Sequence, residues 1–202
     1  MAEDLTEAVD RCASILRAGG IVAYPTETFY ALGALATRPD ALARLASAKL
    51  RPEGKPLPLL AADVDQVRVV ATLEGLAARL AGRFWPGPLT LVLPASAELD
   101  PAITAGSGTV AIRVPGSPNA RELAWGAGGA LVSTSANLSG EPPPVGPRDL
   151  AADLLERIDA VLEAPPCPGG LPSTIISVSG DRVTLLRDGA IPYSQIESAA
   201  RS

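Results

Sequence analysis

"DLTEAVDRCASILRAGGIVAYP", residues 4–25, contains the change of period that decides the fold class. Leu5, Val9, Cys12, Ile15 and Leu16 recur at the spacing of one helical face. Asp4 with Glu7 three positions later suits the start of that helix, and Gly19-Gly20 suits its stop. "IVAY" (21–24) is then a continuous apolar run closed by Pro25, the pattern of a short buried strand. A helix that hands over directly to a buried strand predicts an α/β chain.

The same alternation continues outward. Helices are predicted at Asp40–Ala48, at 63–70 and at 73–83. In "FWPGPLTLVLPA" the Pro-Gly-Pro turns the chain into a strand at Leu89–Leu93. "TVAIRV" (109–114) reads as a strand, Ser117–Trp125 as a helix, and "ALVSTS" (130–135) as a strand running into a polar loop. After Pro147 come a helix, a strand near Ala160–Leu162, a Pro/Gly-rich loop (164–172) and the strands "TIISV" and "RVTLL". The expected architecture is one α/β domain over residues 1–202: an open, twisted, mostly buried mixed sheet with helices packed on it. No repeat, dividing linker or coiled coil interrupts it, and the 20 prolines stiffen its loops.

Composition narrows the chemistry. An apolar fraction of 47% in 202 residues is enough for a real core, built on Leu, Val, Ile and Ala because aromatic residues are few. There is no histidine, so imidazole acid–base catalysis, His triads and His–metal sites are excluded. Cys12 and Cys167 fit neither a disulfide framework nor a zinc pattern. The net charge of −5 argues against a general nucleic-acid footprint. No apolar run reaches membrane-span length, and "MAEDLTEAVDRC" lacks the order of an export signal, so a cytoplasmic protein with no membrane partner is expected.

Against that acidic background, "SAKLRPEGKPLPLL" (47–60) sets Lys49, Arg51 and Lys55 on a proline-stiffened segment. Fixed cations there would form an anion site with little entropy left to lose; the competing reading is cations at a helix C-terminus with Lys55 solvated. "YPTETFYALG" (24–33) presents Thr26, Glu27, Thr28 and Tyr30 in a loop leaving a strand, either as a polar ligand site or as a capped turn. "LVSTSANLSGEPPP" (131–144) gathers Ser133, Thr134, Ser135 and Asn137, suited to phosphate or ribose oxygens or to satisfying its own turn. Arg113 lies inside an otherwise apolar strand, so it reaches solvent, meets an anion or forms a structural salt bridge. "GSGTVA" (106–111) leads into a strand instead of opening a helix, which rejects a dinucleotide reading, and no Walker loop is present.

In order, "GGIVAYPTETFYALGALA", "AKLRPEGKPLPLL", "WPGPLTLVLPAS", "ITAGSGTVAIRVPGSP", "STSANLSGEPPP", "PSTIISV" and "TLLRDGAI" resemble the YrdC/TsaC family of threonylcarbamoyl-AMP synthases, over residues 19–191. The resemblance implies a basic concave cavity and the joining of L-threonine, bicarbonate and ATP into threonylcarbamoyl-adenylate, with release of pyrophosphate. Downstream threonylcarbamoyl-transfer proteins would then modify tRNA adenosine. Carried over by position, Lys49 and Arg51 form the catalytic pair. Arg51, Lys55, Thr109, Ser135, Asn137 and Arg187 would contact ATP, and Thr28, Arg113, Ser133 and Ser173 would hold threonine. Mg2+ would arrive on the phosphates, with no protein metal site. Ala31 and Pro143 stand where the family usually has Gly and often Ser, and the chain ends soon after Arg187, as in the short form of the family. Three rivals remain: an RNA-binding or ribosome-associated module, carbamoyl transfer of the hydrogenase-maturation kind, and an α/β domain without activity.

Overall fold

The computed structural model describes residues 4–49, 54–138 and 140–201. In chain order the helices are α1 (Leu5–Arg17), α2 (Pro39–Ala48), α3 (Val64–Val70), α4 (Gly75–Phe84), α5 (Pro101–Thr104), α6 (Pro118–Ala127), α7 (Ala152–Leu155) and α8 (Tyr193–Arg201). The strands are β1 (Val22–Pro25), β2 (Tyr30–Gly33), β3 (Leu59–Leu60), β4 (Leu89–Pro94), β5 (Thr109–Arg113), β6 (Leu131–Val132), β7 (Thr134–Ser135), β8 (Ala160–Val161), β9 (Thr174–Ser179) and β10 (Arg182–Arg187). The α/β alternation is as expected, with the strands divided between two mixed sheets. One has the order β7-β2-β1-β8 and the other β10-β9-β4-β5-β3-β6. Parallel pairs β1–β8, β3–β5 and β4–β9 are set among antiparallel ones.

The opening stretch folds as its periodicity dictates. Asp4 occupies the N-cap of α1, although its side chain makes no capping hydrogen bond. Gly19, at φ +89°, takes the left-handed conformation that ends the helix, and Gly20 N donates to Ile15 O at 2.9 Å. The polar segment expected as one loop is instead the tip of a β1–β2 hairpin, because Tyr30–Gly33 pairs back onto Val22–Pro25. After Pro147 the expected helix is a single 3-10 turn followed by the four-residue α7.

Period-two alternation splits the six-stranded sheet into unlike faces. Leu89, Leu91, Leu93, Val110, Ile112 and Ile176 are buried in one core with Leu42 and Leu45 of α2 and Leu76 and Leu80 of α4. Burying each such side chain is worth about 1.5–3 kcal/mol before entropy is counted. A second core joins α1 and α6 through Val9, Cys12, Leu16, Leu123 and Ala124, against Val22 and Tyr24 of β1. The other face of the large sheet carries Thr90, Ala111, Arg113 and Ile175 and is only partly covered. Among the described residues no helix is long and apolar enough to cross a membrane.

Candidate functional site

The half-covered sheet face floors a cavity of about 430 Å3 whose walls carry Thr28, Arg113, Ser133, Ser135, Ser173 and Arg187. Register explains the convergence: Thr90 lies opposite Ile175, and Ile175 opposite Arg187, while Arg113 ends β5, the strand on the other side of β4. The hairpin tip adds Thr26 and Thr28, and the segment after β6 adds Ser133 to Ser135. A larger cleft of about 1000 Å3 lies between α1 and the 145–149 and 163–166 segments, walled mainly by aliphatic side chains and prolines. It holds none of the candidate residues, and the smaller cavity, where the guanidinium and hydroxyl groups converge, is the candidate site.

Arg113 is buried and meets a carboxylate as well as the cavity. Its Nη1 donates to Glu27 Oε1 at 2.6 Å, with the two side chains 9% and 18% exposed. Of the options open to a strand arginine, the chain therefore takes the ion pair and still presents the guanidinium to the cavity wall. Arg187 is held differently: Nε and Nη2 donate to Ser173 O at 3.1 and 2.7 Å, and Nη2 to Ser173 Oγ at 2.9 Å. Partial burial and then the charge of Arg113 pull the Arg187 pKa downward, so the two guanidinium groups feel each other. Ser173 Oγ also pairs with Thr90 Oγ1 at 2.9 Å. Gly189 makes this possible, because a Cβ there would collide with the Pro172 carbonyl and the Ser173–Thr174 peptide.

On the hairpin side, Thr26 Oγ1 accepts from the backbone of Thr28 and of Phe29, both at 3.2 Å, and donates to Phe29 O at 2.8 Å. Gly169 N donates to Thr28 O at 2.9 Å, so the Pro/Gly-rich segment braces this wall. The Tyr30 hydroxyl accepts from Ala164 N at 3.2 Å and lies 3.1 Å from Leu162 O, and burial pushes its pKa up to about 12. Tyr24 is likewise pushed up to about 12 by burial; Ser133 lies close enough to lower it but outside hydrogen-bond geometry.

Lys49, Lys55, Thr109 and Asn137 are not on the cavity wall. Lys49 is 3% exposed, and its Nζ donates to Ser135 O, to Asn137 O at 2.8 Å and to Asn137 Oδ1 at 3.3 Å. That ammonium clasps the Ser-x-Asn segment from behind. Asn137 Nδ2 donates to Glu141 O, closing the same loop. Lys55 is exposed. Thr109 shares the cavity face of β5, about 13 Å along the strand from Arg113, and its Oγ1 pairs with Ser107 Oγ at 3.0 Å. Arg51 lies outside the described residues. Two features escaped the sequence: the Glu27–Arg113 pairing, and Thr90, whose outward position in Leu-Thr-Leu-Val-Leu was readable from alternation.

A family model named Sua5/YciO/YrdC, described as "Telomere recombination", matches residues 14–189. A Bacillus subtilis protein named threonylcarbamoyl-AMP synthase is 41% identical over 192 residues, covering 94% of this chain and 56% of that protein. One of the same name from Halorhodospira halophila is 41% identical and is covered at 90% on both sides. The crystal structure of P. abyssi Sua5 complexed with L-threonine superposes with a TM-score of 0.91 at 36% identity, over 98% of this chain and 58% of that one. The chain thus spans little more than half of the Bacillus and P. abyssi proteins. With the family model covering both walls of the cavity, the chain belongs to the Sua5/YciO/YrdC family.

Proposed function

We propose that this chain makes threonylcarbamoyl-adenylate from L-threonine, bicarbonate and ATP, releasing pyrophosphate, as the first step of tRNA threonylcarbamoyladenosine formation. The observation that carries this is the convergence of Arg113 and Arg187 on one cavity, with hydroxyls from Thr28, Ser133, Ser135 and Ser173 around them. The names of the relatives and the threonine-bound neighbour support it.

The chemistry joins two anions. The free threonine amine adds to CO2 with loss of a proton, or condenses with bicarbonate with loss of water, and an oxygen of the resulting carbamate attacks the α-phosphorus of ATP and expels pyrophosphate. Arg113, with Thr28, Ser133 and Ser173, holds the threonine. Arg187, with Ser135 and the 47–60 segment, takes the nucleotide phosphates, and Thr109 lies farther out on the same sheet face for the rest of the nucleotide. Fixed guanidinium and hydroxyl donors lower the repulsion between the reactants and stabilise charge on the leaving pyrophosphate. Lys49 acts through the Ser135–Asn137 backbone that it clasps. Among the described residues no group of three or more Asp, Glu, Cys or His side chains could hold a metal. None of these steps is routed through Mg2+, which would enter as part of the ATP substrate.

The test is pyrophosphate release by purified protein with ATP and Mg2+, adding threonine and bicarbonate separately and together. Release that needs both is the expected result. Release needing neither, or none from folded protein, overturns the reading.

A further inference from the structure

Glu27 belongs to none of the contacts assigned to substrates, yet it is the carboxylate that meets the Arg113 guanidinium. It sits in the hairpin tip, where Thr26 Oγ1 fixes the turn through Thr28 N and Phe29 N. Thr26 N closes the turn on Phe29 O at 3.2 Å. Gly116 passes beside its side chain, within ordinary contact distance of where a Cβ there would stand. Among the described residues, the buried side-chain polar atoms without a hydrogen-bond partner are the Tyr24 hydroxyl and Glu27 Oε2. Both lie in the surroundings of Arg113, whose charge acts on Tyr24 directly. A carboxylate buried with one oxygen unpartnered is costly, and a buried ion pair is weak evidence for stability. Its position at the cavity cation calls for another role.

A guanidinium is a rigid plane of five donors. Anchoring one terminal nitrogen at 2.6 Å to a carboxylate carried on that turn narrows the orientations open to the plane. The donors on its other edge are then biased toward one direction. We propose that Glu27 is a positioning residue: by holding Nη1 of Arg113 it sets the plane in which the remaining guanidinium donors meet the carboxylate of the amino-acid substrate. This rests on the assignment of Arg113 to threonine above. Planar two-point capture of a carboxylate is sensitive to such alignment, whereas phosphates gathered at Arg187 are not reached by it.

The test uses the full chain and steady-state kinetics for threonine and ATP separately. For Glu27→Ala the KM for threonine rises about 10- to 100-fold, the loss expected when a charge-assisted contact is misaligned, while the KM for ATP stays within about threefold. Glu27→Gln, which keeps an oxygen acceptor on Nη1, restores the threonine KM to within about threefold of wild type. Adding Glu27→Ala to Arg113→Ala costs nothing further for threonine, because Glu27 acts only through Arg113. If Glu27→Ala does not fold, Glu27→Asp carries the test: withdrawn by one methylene, it raises the threonine KM where Glu27→Gln does not. Wild-type threonine KM in both Glu27→Ala and Glu27→Asp, equal losses for threonine and ATP, or additivity with Arg113→Ala overturns the inference while leaving the proposed function standing. Wild-type protein without threonine-dependent pyrophosphate release overturns both.

Discussion

The two arginines of the cavity are anchored by opposite means. Arg187, on the β9–β10 wall, leans on the neutral oxygens of Ser173, so its charge is oriented but not cancelled. Arg113, at the end of β5 beside the hairpin wall, is already matched by Glu27 of the hairpin tip. One wall therefore offers uncompensated positive charge, and the other offers shaped donors with little net charge. On the proposed function, a polyphosphate is drawn to the first and a single carboxylate is oriented by the second, which gives the two anionic reactants separate places.

The strongest way to break this comparison is Arg187→Ala, which is expected to lower kcat/KM for ATP by about 10²- to 10³-fold, the usual loss on removing one electrostatic stabiliser. The threonine KM should rise less, through the loosened Ser173, and equal losses for both substrates would erase the distinction between the walls. Arg113→Ala should do the converse, raising the threonine KM about 30- to 100-fold with ATP barely affected, as steady-state titration of each substrate would show. Lys49→Met sharpens the comparison from behind the Ser135–Asn137 segment. Removing a buried donor from Ser135 O and Asn137 O should destabilise the fold by about 1–3 kcal/mol in urea unfolding, which a phosphate ligand reaching into solvent would not do. The smallest expected effect is Thr90→Val, which takes away one partner of Ser173 Oγ and should cost about 0.5–1.5 kcal/mol of stability. Only a few-fold change in activity should accompany it, because Arg187 keeps its bonds to Ser173 O.

The change of period in the opening stretch carried α1 and β1 correctly, and the strands expected at Leu89–Leu93, at 109–114 and at "TIISV" and "RVTLL" stand as β4, β5, β9 and β10, because their apolar runs are local. What lay beyond the sequence was set by distant partners. Tyr30–Gly33 is an apolar run too short to identify as a strand by itself, and it becomes one by pairing with β1 and with Thr134–Ser135. Of the two-residue strands, β3 exists only through its neighbours, whereas β6, β7 and β8 fall within the strands expected at 130–135 and Ala160–Leu162. For the site, the polar residue types were legible, since Arg113 in an apolar strand and the Ser-Thr-Ser cluster stood out. Their grouping was not: Glu27 and Arg113 are 86 positions apart, and no local pattern couples them. Lys49 shows the same limit. Its place in the signature was visible, but not that its ammonium would bond the backbone carbonyls of Ser135 and Asn137.

The absence of histidine and the polar make-up of the cavity wall, guanidinium and hydroxyl groups set among Phe, Leu, Ile, Ala and Pro, have a consequence for how this chain is controlled. Such groups keep a single charge state across the neutral range, and the nearby phenols of Tyr24 and Tyr30 lose their protons only at about 12. The cavity is a template of constant charge, blind to the acidity of its surroundings. On the proposed function, any bend in its rate against pH would therefore trace the reactants, the threonine ammonium giving up its proton and bicarbonate exchanging with CO2.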